Sequence, residues 1–190
     1  MFRPAEAFVL PVSAGIPQCI IGNAVRIRRK GAPQPMNGNA SSLIGEREAL
    51  ELLEAAAKAR ALAYIPYSGF AVGAALLDAE GTVHPGCNIE NAAYGPSNCA
   101  ERTALFGAIA AGRPPRSFRA IAVTADTEEP VTPCGVCRQV LAELCEPDMP
   151  VVLGTIRGKW RVTTVAELLP GAFTSAQLDE DRSRKGARNP

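Results

Sequence analysis

Hydrophobic and polar positions divide this chain into a patternless start and a strongly patterned remainder. Residues 1–40 show no sustained period of 2 or 3.6 and are rich in Pro, Gly and Asn. They are expected to form a flexible extension, with Met36 as an alternative start where the character changes. From Ser41 onward the pattern tightens. Leu50, Leu53, Ala57 and Leu62 recur at roughly helical spacing until Pro66 stops them, which predicts a first helix with that stripe as its apolar side. The run Phe70 to Leu77, the turn Asp78-Ala79-Glu80-Gly81 and the stretch Thr82 to Ile89 predict a β-hairpin. Good helix formers then run from Cys99 to Ala111, ended by Gly112 with Pro114-Pro115 beyond, and Arg119 to Ala125 follows as a buried strand. The alternation repeats: Cys134 to Cys145 as helix, Pro150 to Gly154 as strand, Lys159 to Thr163 as a further short strand, and Val165 to Leu169 as a last helix. Strands joined by helices imply an α/β protein with a partly parallel sheet and helices on both faces, opening with an antiparallel hairpin. A domain over 41–174 and a polar tail over 175–190 complete the expected organisation.

Composition narrows the function classes. Twenty basic against nineteen acidic residues leave a formal charge of +1, so the balance favours neither nucleic acid nor an anionic membrane as partner. A small neutral or weakly charged ligand fits better. The basic run Arg26-Ile27-Arg28-Arg29-Lys30 is expected to be a solvated part of the extension, with an interaction arm as its alternative. Apolar runs are too short for a spanning helix, and Pro4, Glu6, Pro11 and Pro17 interrupt any secretory pattern, so no cleaved signal is expected. Six cysteines in a chain of this length, two of them in a C-x-x-C pair, point to reduced thiols in a cytoplasmic setting more than to a disulfide framework.

The candidate chemistry sits in two short segments, Cys99-Ala100-Glu101 and Pro133-Cys134-Gly135-Val136-Cys137, each opening a predicted helix. Unpaired N–H groups and the positive dipole end lower thiol pKa at such a terminus, the state a metal ligand needs. Residues i and i+2 share no lateral helix face, so Cys99 and Glu101 can serve one target only if it lies off the helix end. Three thiolate ligands leave a fourth tetrahedral position for water, the mark of a catalytic zinc site, where that water becomes acidic enough to react near neutral pH. Glu101 is then the candidate proton carrier. Three thiolates on one zinc weaken its Lewis acidity unless donors draw charge from the sulfurs, a role open to Arg102. A redox pair or half of a closed zinc site remains the alternative for the C-x-x-C alone. Cys19, Cys87 and Cys145 are expected to be tail, strand and core thiols, and His84, the only histidine, a surface residue and no ligand.

These motifs resemble those of zinc deaminases, H/C-x-E followed by P-C-x-x-C. Further segments are similar to the small cytidine deaminases: Pro66-Tyr67-Ser68-Gly69-Phe70 with Val72-Gly73-Ala74-Ala75, Gly86-Cys87-Asn88-Ile89-Glu90-Asn91-Ala92, Cys99 to Ala104, and Glu167 to Phe173. The resemblance runs from about Leu50 to Phe173. It implies a three-layer α/β/α cytidine deaminase-like fold on a mixed, five-stranded sheet. It also implies one zinc per chain and hydrolytic deamination of cytidine and 2′-deoxycytidine in pyrimidine salvage. By the same resemblance Asn88 and Glu90 bind the sugar, Phe70 walls the pyrimidine, and backbone at Ala100 and Ala92 reads the base. Arg102 relieves the thiolates, while Tyr94 and Phe173 reach across subunits of a homotetramer with shared sites. Without it, Asn88 and Glu90 would pass for a polar turn and Phe70 for core. A blasticidin-S-type deaminase is the nearest rival; a nucleotide or nucleic-acid deaminase and a non-enzymatic zinc or redox module stand further off.

Overall fold

The computed structural model describes residues 44–178. The expectations for residues 1–40, including Cys19, the basic run and a start at Met36, lie outside the described residues, as does the tail beyond Leu178. The described chain runs α1 (Glu46–Arg60), β1 (Val72–Asp78), β2 (Val83–Cys87), α2 (Ala100–Ala110), β3 (Phe118–Ala125), α3 (Gly135–Leu144), β4 (Pro150–Thr155), β5 (Trp160–Thr164), α4 (Val165–Leu168). This is the order the apolar pattern predicts, with element ends displaced by a few residues.

The strands form one five-stranded sheet in the order β2-β1-β3-β4-β5. Only β3 and β4, the pair separated by α3, run parallel; the other three pairings are antiparallel. Successive side chains on a strand point to opposite faces, and the sheet uses both. Ala75, Leu77, Ala120, Ala122, Val152 and Val162 face α1, where Ala49, Leu52 and Ala56 meet them. Ala74, Leu76, Ile121, Val123, Val151 and Leu153 face the other way, against Ala104, Leu105 and Ala108 of α2 and Leu141 of α3. Strands covered on both faces read as continuous apolar runs, which is why β1, β3 and β4 stand out in the sequence.

The first helix corrects one expectation. Its buried stripe is Ala49, Leu52, Ala56 and Ala59, while Leu50 and Leu62 are exposed and Leu53 and Ala57 only partly covered. The apolar side is built mainly of alanines because the helix lies close to the sheet, where larger side chains have no room. Two glycines permit that proximity. A Cβ on Gly73 would stand 1.9 Å from the Ala56 carbonyl oxygen of α1, and one on Gly86 would stand 2.3 Å from the Ala100 oxygen and 2.5 Å from the Ala104 nitrogen of α2. Gly86 therefore seats the first turn of α2, where the metal-binding motif begins.

Far from that turn, the hairpin is closed by a charged cluster. Asp78 is 1% exposed, accepts from the Thr82 and Glu80 backbone, and lies 2.8 Å from His84 Nε2 and 2.9 Å from Arg113 Nε. His84 is thus partly buried and engaged with Asp78, where the sequence suggested a surface position. Its absence from the cysteine cluster is as expected.

Candidate active site

Two helix starts bring three sulfurs together. Cys99 is the N-cap of α2 and Cys134 the N-cap of α3; their carbonyls accept the first helical bonds, from Thr103 and Arg138, while their side chains make no cap. Both thiols are left free to face a common point. Cys137, one turn into α3, is buried beside them. The Sγ atoms of Cys99, Cys134 and Cys137 lie within 4.8 Å of one another, and the Cys99–Cys134 pair is 3.8 Å apart. A tetrahedral zinc with Zn–S bonds of ~2.3 Å places its sulfurs about 3.8 Å apart. The donor set therefore fits one zinc per chain, held by three ligands.

The electrostatics suit a cation as well. The Cys99 thiol is brought down to about 5, chiefly because the Cys137 thiol donates to it, with help from Arg102. Cys137 is pushed up for the reciprocal reason, reinforced by burial. Three thiolates at this spacing repel one another, so the sulfurs alone keep protons among them; a divalent ion removes that obstacle. Arg102 Nη2 stands 3.6 Å from Cys99 Sγ and 3.4 Å from the Ser97 carbonyl. A guanidinium on a zinc thiolate draws off charge in the way the motif suggests.

Glu101 is 4% exposed at the start of α2. Burial raises its pKa above the ordinary carboxylate value, and the Cys99 charge adds to the effect, while the Cys137 thiol lies near enough to hydrogen-bond it. A buried carboxyl with a raised pKa beside a metal-binding cluster is equipped to exchange protons. Glu101 at the start of α2 is thus close enough to the cluster to feel the Cys99 charge and the Cys137 thiol.

Of the remaining candidates, Phe70 lies on the loop that leads into β1, Asn88, Glu90, Ala92 and Tyr94 on the segment after β2, Ala100 at the start of α2 and Phe173 after α4. Glu90 accepts from the Tyr67 and Ser68 backbone N–H groups at 2.9 and 3.2 Å and from the Ser68 hydroxyl. Those bonds hold its pKa below the usual range. The Asn88 carboxamide accepts from Val72 N at 2.8 Å and donates to the Phe70 carbonyl at 2.9 Å. Neither side chain closes the hairpin, as a plain polar turn would; both clamp the 67–72 loop. Ile89 pairs with Tyr64 and with Asn98, so the clamp is tied to the residue before Cys99. Beside it lies a cavity of about 370 Å³ lined by Tyr67, Ser68, Glu90, Tyr94 and Ser97. Ser97 connects it to Arg102 and so to the thiols.

Phe70 is 44% exposed, which removes it from the core, and Phe173 and Tyr94 are exposed too. Of these three, Tyr94 alone lines the cavity. Its backbone, at φ 54°, occupies the left-handed region that a bulky side chain seldom adopts. Ala100 is buried at the start of α2, and Ala92 lies in the loop ahead of Tyr94. Cys87 and Cys145 stand apart from the cluster; burial raises both thiols, Cys145 to about 12. Tyr67 and Ser68 belong to a segment whose motif is visible in the sequence but whose role as Glu90's partners is not. Ser97, Arg138 and Gln139 carry no sequence signal of function at all.

Residues 46–153 match the family model of the cytidine and deoxycytidylate deaminase zinc-binding region. The chain is 58% identical over 128 residues to a cytidine deaminase of Sporosarcina psychrophila, covering 67% of this chain and 93% of that protein. It is 57% identical over 129 residues to a cytidine deaminase of Halalkalibacterium halodurans, covering 68% of this chain and 96% of the other. Among solved structures, a cytidine deaminase from Burkholderia pseudomallei superposes with a TM-score of 0.64 at 56% identity, covering 65% of this chain and 98% of that one.

Proposed function

The chain belongs to the cytidine deaminase family, and from that premise we propose that it deaminates cytidine and 2′-deoxycytidine hydrolytically, releasing ammonia and the uridine products. The observation that carries the reading is the buried Glu101 beside three sulfurs spaced for zinc. Cys99, Cys134 and Cys137 would hold the zinc, which would supply an acidified water at neutral pH. Glu101 takes a proton from that water and delivers it to the ring nitrogen next to the amine-bearing carbon. It would then take the second proton from the same oxygen, by then bonded to the amine-bearing carbon, and pass it to the departing amine, so that the oxygen stays as the ring carbonyl and the nitrogen leaves as ammonia. The raised pKa of Glu101 suits both transfers. Arg102 holds charge off Cys99 and keeps the ligand set from becoming too electron-rich.

Substrate placement follows from the clamp. Glu90 lines the cavity and, with Asn88 two residues before it, is assigned the sugar hydroxyl by the family resemblance; together they fix the loop that presents Phe70 to the pyrimidine. Backbone at Ala100 and Ala92 reads the base edge. Phe173 and Tyr94 complete the site of a neighbouring copy in a homotetramer, which accounts for exposed aromatic side chains such as Tyr67, Phe70, Tyr94 and Phe173. The catalytic unit spans 41–174. A reducing cytoplasm, where three thiols stay available for metal, and a place in pyrimidine salvage go with this reading; no helix among the described residues is long and apolar enough to cross a membrane.

A spectrophotometric assay of the zinc-loaded protein on cytidine, deoxycytidine, cytidine monophosphate and blasticidin S tests the proposal. Turnover of the first two is expected. Activity confined to the last two would overturn the substrate assignment.

A further inference from the structure

Arg138 follows the zinc ligand Cys137 and has no part in the chemistry above. Each of its three guanidinium nitrogens nevertheless donates a hydrogen bond. Nε donates to the Pro133 carbonyl at 2.7 Å, Nη2 to the Thr132 hydroxyl at 2.7 Å, and Nη1 to the Leu168 carbonyl at 3.2 Å. The first two acceptors form the turn immediately before Cys134, and the third closes α4. Pro133 is fully buried and, as a proline, has no N–H with which to tether itself. Its neighbour Thr132 lies on the surface. The turn that delivers Cys134 thus takes its side-chain anchorage from α3 itself, one residue past the third ligand. The adjacent Gln139 reaches elsewhere, donating to the Phe173 carbonyl at 2.7 Å.

A planar guanidinium with bonds in three directions defines a rigid fork; an ammonium on a flexible stem cannot reach three separated acceptors at once. We propose that Arg138 is a positioning residue for the second metal arm, holding the Thr132–Pro133 turn so that Cys134 stays at zinc spacing from Cys99 and Cys137. This rests on the zinc reading above. Cys134 is the exposed member of the ligand set, so its place depends on the turn more than on surrounding core. Loss of the fork lets Cys134 swing away, which opens a path for zinc to leave without unfolding the domain.

The test is the rate at which zinc passes from the folded, loaded protein to a chromogenic chelator in excess, measured together with the thermal unfolding midpoint. Arg138→Lys keeps the charge and loses the fork; Thr132→Val keeps the shape and removes one acceptor. Gln139→Leu perturbs the same helix without touching the turn, and Leu52→Ala weakens the opposite face of the sheet. Arg138→Lys is expected to release zinc on the order of tenfold faster, as outer-shell changes at zinc sites do, and Thr132→Val a few-fold faster, whereas Gln139→Leu keeps the wild-type rate. Wild-type release from both Arg138→Lys and Thr132→Val overturns the proposal. So does equally fast release from Leu52→Ala at the same loss of midpoint, since that would make the effect one of general stability. A wild-type protein that takes up no zinc at all contradicts the metal reading itself, an outcome distinct from either.

Discussion

At the scale of single residues, the site is a contest between burial and charge. Glu101 loses hydration on folding, and the ionised form bears that cost, so the folded group keeps its proton to higher pH than in the unfolded chain. The penalty is absent below the unfolded value and grows as pH rises through the folded one. Metal-free Glu101→Gln is therefore expected to melt at a higher temperature than metal-free wild type at pH 8, with the difference vanishing near pH 4. Parallel thermal melts check this; a constant difference across the range would contradict it. Zinc uptake should show the opposite sign of proton dependence. The thiols share protons that the ion must displace, so affinity measured by competition with a chelator falls as pH is lowered from 8 to 6.

Elements set how closely these groups meet. Gly86→Ala forces a methyl into the Ala100 carbonyl and drives the first turn of α2 off β2; Gly73→Ala does the same to α1 on the far face. Both are expected to destabilise by roughly 1–3 kcal/mol in denaturant titrations, but only Gly86→Ala should also lower zinc per chain, because only α2 carries Cys99. At the other end of the hairpin, the Asp78 carboxyl is held below its usual range, first by His84 and further by Thr82, Arg113 and Glu80. A depressed carboxylate contributes stability above its unfolded pKa and loses it as pH falls through the folded value. Asp78→Asn should therefore lower the unfolding midpoint at pH 7 and approach wild type in strong acid, as a pH series of melts would show. Most of this architecture was legible in the sequence, because strands covered on both faces are unbroken apolar runs and because Gly112 and the proline pairs mark ends. The buried side of α1 was not. Apolar residues flank the alanines of α1 on both sides, so the large residues Leu50 and Leu62 drew the stripe, whereas the close seat against Gly73 selects Ala49, Ala56 and Ala59. The metal cluster and Glu101 could be located because their spacing is local; the Glu90 clamp on Tyr67 and Ser68, the Ser97 link and the Arg138 fork could not, since each joins positions whose proximity only the fold creates.

Over the whole molecule, the described domain leaves Tyr67, Phe70, Tyr94 and Phe173 exposed, and the homotetramer reading covers them with copies of the same chain. Light scattering after size exclusion is expected to give a mass four times that of one chain, and a chain lacking residues 1–40 is expected to give four times its own, smaller mass and to retain its turnover number. A monomer with full activity would remove Phe173 and Tyr94 from the shared site. The central claim, that three thiols and one buried glutamate form a working deamination centre, rests on a single comparison. The loss of cytidine absorbance is followed with wild type and with Glu101→Gln, both carrying one zinc per chain. The account predicts rapid conversion to uridine by the wild type and a rate lower by about 10²–10⁴-fold in the variant; equal rates from the two proteins would contradict it.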